Sequence, residues 1–154
     1  MTNSLTTIQK QLVVKAPIER TFDVFTSRMA TWWPKEHHVG ATPFTALVIE
    51  PRVDGRWFER GTDGKEVQWG KVLVWEPPTR LVLAWQLDGT FQYNPALITE
   101  VDVRFTSVDA KTTRVDFEHR NLDRFGADMV AKVGPMMDQG WGGILHSFVQ
   151  CTEG

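Results

Sequence analysis

The chain has 154 residues, 17 basic and 19 acidic, giving a formal net charge of −2, so neither a nucleic-acid backbone nor an anionic membrane has a basic surface to grip. A single cysteine, Cys151, excludes an internal disulfide and a cysteine-rich metal site and fits a reducing cytoplasm, the expected location. Seven tryptophans and nine phenylalanines exceed what a minimal core needs and point to a large, shaped apolar interior.

Met1-Thr2-Asn3-Ser4-Leu5 has no basic head or apolar run, so no signal peptide is expected. Ile8 to Lys15 reads as a strand with Ile8, Leu12 and Val14 in phase. Pro17 suits a helix's first turn, where a missing N–H costs nothing, and Ile18, Phe22 and Phe25 share a face up to about Thr26. A second short helix ends at Trp32-Trp33-Pro34, because proline biases the residue before it away from the helical region. Lys35 to Gly40 is a polar loop. From Phe44 onward, short runs separated by turn signals read as strands: Phe44 to Glu50, Arg56 to Arg60, Glu66 to Trp75, Arg80 to Leu87, Ile98 to Ser107 and Thr112 to Arg120. Asp88-Gly89 opens a looser connection over Thr90 to Leu97. In Glu66 to Trp75, plain alternation puts Trp69, Lys71, Leu73 and Trp75 on one face and Val72 and Val74 on the other, so periodicity does not choose the inner face.

Asp123 to Val133 is a helical lead-in, and Gly134 to Cys151 a long helix with Met137, Trp141, Ile144, Leu145, Phe148 and Cys151 in one apolar stripe. Asp138, Gly142, His146 and Gln150 fall opposite. Gly140, Gly142 and Gly143 each cost about 1 kcal/mol in a helix relative to alanine. Close approach to a sheet, or space for a ligand beside Trp141, would explain them. The sum is one α+β domain, 1–154, with an antiparallel sheet of six to seven strands curved around a long C-terminal helix.

These residues resemble a known family. Val14-Lys15-Ala16-Pro17 with Glu19 and Phe22-Asp23-Val24-Phe25-Thr26, then Trp32-Trp33-Pro34, resemble the opening of START-like (SRPBCC, helix-grip) domains. Gly55-Arg56-Trp57-Phe58-Glu59-Arg60, Trp69-Gly70-Lys71-Val72-Leu73 with Trp75-Glu76-Pro77-Pro78, and Gly140-Trp141 with Ile144-Leu145 are similar to the subgroup related to the C-terminal domain of the heat-shock-protein ATPase activator (Aha-type). The resemblance implies a two-layer helix-grip fold. It also implies either a small-molecule pocket or a stress-related, co-chaperone-like partnership with a chaperone ATPase.

The chemistry-bearing residues are few. Glu59 shares a strand phase with Trp57; facing inward it needs a hydrogen bond, facing outward it is solvated. His119 follows Val115 and Phe117 on the buried face, as a satisfied structural residue or as a proton carrier. His37-His38 lacks any metal-ligand spacing, and no phosphate loop, nucleophile elbow or Cys/His dyad occurs, so no metal or cofactor is expected and no reaction is named. The leading expectation is a pocket for an apolar or aromatic ligand, walled by Trp57, Trp85, Phe105, Phe117 and Trp141 with Glu59 and His119 as polar contacts. A cyclase- or hydrolase-like enzyme would use the same pair for proton transfer. Monomer and homodimer are both open.

Overall fold

The structure is a computed structural model describing residues 6–154; Met1–Leu5, read above for a leader, lie outside the described residues. Seven strands, β1 (Ile8–Val14), β2 (Phe44–Ile49), β3 (Arg56–Gly61), β4 (Glu66–Glu76), β5 (Arg80–Trp85), β6 (Thr99–Asp109) and β7 (Thr112–Arg120), form one antiparallel sheet in the order β1-β7-β6-β5-β4-β3-β2. From β2 to β7 the chain is a meander. β1 alone is displaced, pairing with β7, while helices α1 (Ile18–Ser27) and α2 (Met29–Trp32) carry the chain across to the far edge. Helix α3 (Ala127–Glu153) lies against the inner face of the curled sheet. This is the α+β helix-grip fold that the sequence predicted. No helix among the described residues is long and apolar enough to cross a membrane.

Alternation produces the two faces. Val101, Val103 and Phe105 of β6 are buried inward beside Val115 and Phe117 of β7. Asp102, on the outer face, is also covered, because Arg80 and Arg120 close over it at 3.0 and 2.9 Å. Burial alone would raise its pKa, but the guanidinium hydrogen bonds outweigh it and hold the carboxyl below the ordinary range.

Two bulges resolve the ambiguity of β4. Trp57 pairs with Gly70 and Phe58 with Gln68, leaving Trp69 as an extra residue; Val72 pairs with Leu83 and Val74 with Val82, leaving Leu73 extra. Each bulge shifts the phase by one residue. Trp69 is therefore buried inward beside Trp57, and Trp75 packs on Phe22 of α1 at 5.3 Å. Gly70 is required here, since a Cβ would collide with the Ala84 carbonyl oxygen.

The final helix starts earlier than its apolar run suggested. The lead-in divides into a 3-10 turn, Leu122–Phe125, then Gly126 at φ +93°, then α3. Val130 and Val133 extend the buried stripe of Met137, Trp141, Ile144, Leu145 and Phe148. A Cβ on Gly140, Gly142 or Gly143 would meet nothing within 4 Å among the described residues, so close approach to the sheet is not their reason. Gly142 and Gly143 are exposed; Gly140 borders a cleft.

Candidate functional site

α1 and α2 pack with α3 to seal one end of the inner face. Toward the N-terminal half of α3 a cleft of about 330 Å³ opens between the helix, β4, β5 and the loop after α2. Trp33, Trp69, Trp85 and Trp141 wall it, joined by Leu87, Met137 and Ile144. The four indoles close into a cycle: Trp33–Trp69 5.1 Å, Trp69–Trp85 6.3 Å, Trp85–Trp141 5.6 Å and Trp141–Trp33 5.6 Å between ring centroids. All neighbouring pairs are tilted or edge-to-face, the geometry favoured by the ring quadrupoles. Glu36, His37 and His38 supply the polar rim, and Phe91 and Met136 complete the lining.

The indole N–H groups decide what the cleft presents. Trp33 Nε1 donates to the His37 carbonyl at 3.0 Å, Trp69 Nε1 to Glu59 Oε1 at 2.9 Å, and Trp141 Nε1 to His119 Nδ1 at 3.1 Å. Three polar handles are thus turned back into the protein, leaving ring surface toward the opening. Among the described residues Trp57 Nε1, buried behind the cleft, has no acceptor, and neither has Trp85 Nε1, whose ring borders the cleft.

Glu59 and His119 do not line this opening and do not meet in it. Glu59 is fully buried and faces inward; besides Trp69, its Oε1 accepts the Val39 N–H at 2.5 Å, while Oε2 has no partner among the described residues. His119, also fully buried, receives the Trp141 proton on Nδ1, so Nε2 carries the hydrogen and donates to Thr99 Oγ1 at 2.8 Å. The Thr99 hydroxyl then donates to the Trp85 carbonyl at 3.2 Å. Burial pushes the His119 pKa down to about 3, which keeps the imidazole neutral and a poor proton acceptor at neutral pH.

The remaining expected wall residues divide. Trp85 and Trp141 border the cleft. Trp57 is fully buried behind the cycle, 5.4 Å from Trp69 and 5.6 Å from Trp85, and Phe117 backs Trp141 at 4.5 Å. Phe105 lies at the sealed end against Phe22 and Phe25. Sequence reasoning did not place Trp33, Trp69, Phe91, Met136 or the loop Glu36–Val39 at the site. Gly140, a helix-weakening residue beside Trp141, was the available signal. A second depression, of about 480 Å³, lies over Gln9, Gln11, Asp102, Arg104, Asp116 and Glu118; it is open, and its carboxylates are paired with Arg104 and with the neighbouring Arg114 and Arg120. It has no aromatic enclosure like that of the four indoles among the described residues, so the tryptophan cleft is the candidate. No group of three or more His, Cys, Asp or Glu among the described residues could hold a metal ion.

Comparison with known proteins agrees with this architecture. The sequence profile of the Activator of Hsp90 ATPase homolog 1-like protein family matches residues 15–153. The chain belongs to this family. Among solved structures, an anthrahydroquino-gamma-pyrone synthase, Txn09, shares 35% identity at a TM-score of 0.69, over 97% of this chain and 99% of that one. The self-sacrificing resistance protein CalC from Micromonospora echinospora shares 31% at a TM-score of 0.75, over 97% and 96%. The Aha1 dimer from Colwellia psychrerythraea, at 16% identity, TM-score 0.65 and 96% coverage of each chain, shares the fold. Comparison with curated protein sequences gives no match. Family and fold together support a ligand-binding domain.

Proposed function

We propose that this protein binds a planar, largely apolar aromatic molecule in the four-tryptophan cleft. The observation that carries the reading is the closed cycle of four indoles with three N–H groups tied back into the protein. Such a wall attracts a flat ring system through dispersion and quadrupole contacts and gives a saturated polar molecule little to bond. Trp85 Nε1–H is left to meet one acceptor, such as a ring carbonyl, and Glu36, His37 and His38 meet polar substituents at the rim. Glu59 and His119 serve as positioning residues, holding Trp69 and Trp141 from behind. The 35% identical relative named as a synthase of a fused, oxygen-bearing aromatic ring system supports the same ligand class.

That relative also favours a second reading, catalysis on such a ligand. The groups available for proton transfer at the cleft are Glu36, His37 and His38, since Glu59 and His119 sit behind the ring wall. The family name carries a third, partnership with a chaperone ATPase. Native mass spectrometry of freshly purified protein, followed by titration with an anthraquinone sulfonate read by tryptophan fluorescence, tests the proposal. Saturable, one-to-one quenching supports it. No bound mass and no quenching would overturn it, and retention of an Hsp90-type ATPase on the immobilised chain would then favour the third.

A further inference from the structure

The connection after β5 breaks a local rule at one residue. Leu87 bridges Tyr93, the Asp88 N–H donates to the Gln92 carbonyl, and the Phe91 N–H donates to the Asp88 carbonyl, both at 2.9 Å. This is a hairpin loop of three residues, Gly89 to Phe91, whose last position takes the left-handed conformation. Glycine or asparagine ordinarily occupies that position, because a Cβ crowds the backbone there. Here it is Phe91, at φ +61°, while the loop's glycine stands two residues earlier. A bulky aromatic at positive φ is a true outlier and persists only where its surroundings over-determine it.

The surroundings do so. Asp88 Oδ1 accepts from the Thr90 N–H, the Thr90 hydroxyl and the Gln92 N–H, at 2.9, 2.6 and 3.0 Å. Gly89 sits against Met129 of α3, where a Cβ would press on the methionine side chain. The loop is therefore pinned from within by a carboxylate and from outside by the helix. Neither constraint uses the Phe91 side chain. That ring is left 37% exposed at the cleft, and Met136, seven residues beyond Met129 and so on the same helix face, lines the cleft too, 50% exposed. Two large apolar side chains held partly in water at one opening are unfinished contacts.

We infer that Phe91 is a ligand-contacting residue: its ring, with Met136, covers the outer edge of an aromatic ligand held by the four tryptophans. The inference rests on the cleft being a ligand site and adds to it a residue selected against local conformational preference. In this arrangement strain in the loop is the cost of presenting an aromatic edge at the mouth of the cleft, so stability and affinity are opposed at residue 91.

That opposition is the test. Phe91→Asn accepts the left-handed conformation and removes the ring; Phe91→Leu keeps an apolar side chain in the strained position. Titration of wild type and both variants with an anthraquinone sulfonate, beside thermal melts of the free proteins, reads both quantities. The expected result is affinity roughly tenfold weaker in Phe91→Asn, a melting temperature equal to or above wild type, and Phe91→Leu within about threefold of wild type. Unchanged affinity in Phe91→Asn, with wild type binding and Trp33→Ala not binding, would overturn the Phe91 role and leave the cleft reading standing. A clearly lowered melting temperature in Phe91→Asn would show that the ring holds the loop to the helix and would also overturn it. Failure of wild type to bind would remove both readings together.

Discussion

The two ends of the inner face are built from the same materials to opposite effect. At one end Phe25 and Phe148 meet edge-to-face at 5.1 Å, Phe22 meets Phe105 at 5.2 Å, and Trp32 lies 5.1 Å from Phe148. α1 and α2 close that end, and the Trp32 N–H donates to the Val24 carbonyl at 2.8 Å. At the other end four indoles lie 5.1 to 6.3 Å apart around an opening that α3 borders but α1 and α2 leave uncovered. The difference lies in what lies over the rings: helices at one end, and at the other a polar loop, a strained turn and a glycine. Aromatic content alone therefore does not define a site; an aromatic surface left uncovered does.

The comparison is broken most strongly by removing a ring from the sealed end. Phe148→Ala should cost about 3–5 kcal/mol in urea unfolding and leave the affinity of the folded fraction for an aromatic probe unchanged, because Phe148 does not line the cleft. A large loss of affinity would show that the ends are not independent.

His119 gives the next effect. Its folded pKa of about 3 lies below the ordinary 6.5, so on acidification the unfolded chain takes up the proton first. The stability it contributes is fully present above about pH 6.5 and is lost as pH falls toward 3, at about 1.4 kcal/mol per pH unit. Between pH 6.5 and 5, above the ordinary carboxylate range, unfolding free energy should show this slope and His119→Gln should flatten it. A flat wild-type profile there would contradict the buried neutral imidazole.

Glu59→Ala strips the acceptor from the buried Trp69 and Val39 N–H groups and should cost about 2–3 kcal/mol. Probe binding should weaken too, as Trp69 and the rim loop lose their common anchor. Glu59→Gln keeps an acceptor oxygen and should recover part of both. Equal loss in the two variants would mean that the carboxylate charge matters more than the hydrogen bonds.

The smallest effects sharpen the contrast within α3. Gly142→Ala and Gly143→Ala should each add about 0.5–1 kcal/mol of stability without touching affinity, since both are exposed. Gly140→Ala should give a similar gain but place a methyl group at the cleft and weaken probe binding. Identical behaviour of all three would remove Gly140 from the site.

Much of the fold was legible because alternation is strict in β6 and β7 and because the apolar stripe of α3 has clean helical spacing. The motifs around Pro17, Trp32-Trp33-Pro34 and Trp141 led to the right family. β4 was not legible: its inner face depends on two bulges, and a bulge is set by strand pairing, not by local composition. The same shift concealed Trp69. Glu59 and His119 carried visible polar signals, but periodicity gives a side chain's face and not its depth, so residues behind the wall and on it looked alike. The rim escaped notice because Glu36, His37 and His38 sit on a loop with no period to read. Phe91 escaped because Asp88-Gly89 marked only the opening of a looser connection, and nothing in it signals that the left-handed position falls two residues after the glycine.

The most direct test of the tryptophan cleft is to follow the indole N–H resonances of ¹⁵N-labelled protein while an anthraquinone sulfonate is added. Saturable shifts should concentrate on Trp33, Trp69, Trp85 and Trp141, with the Trp85 signal moving toward a hydrogen-bonded position, while Trp32 and Trp75 at the sealed end stay still. Shifts spread evenly over all seven tryptophans, or none at all, would contradict a ligand site built on that cycle.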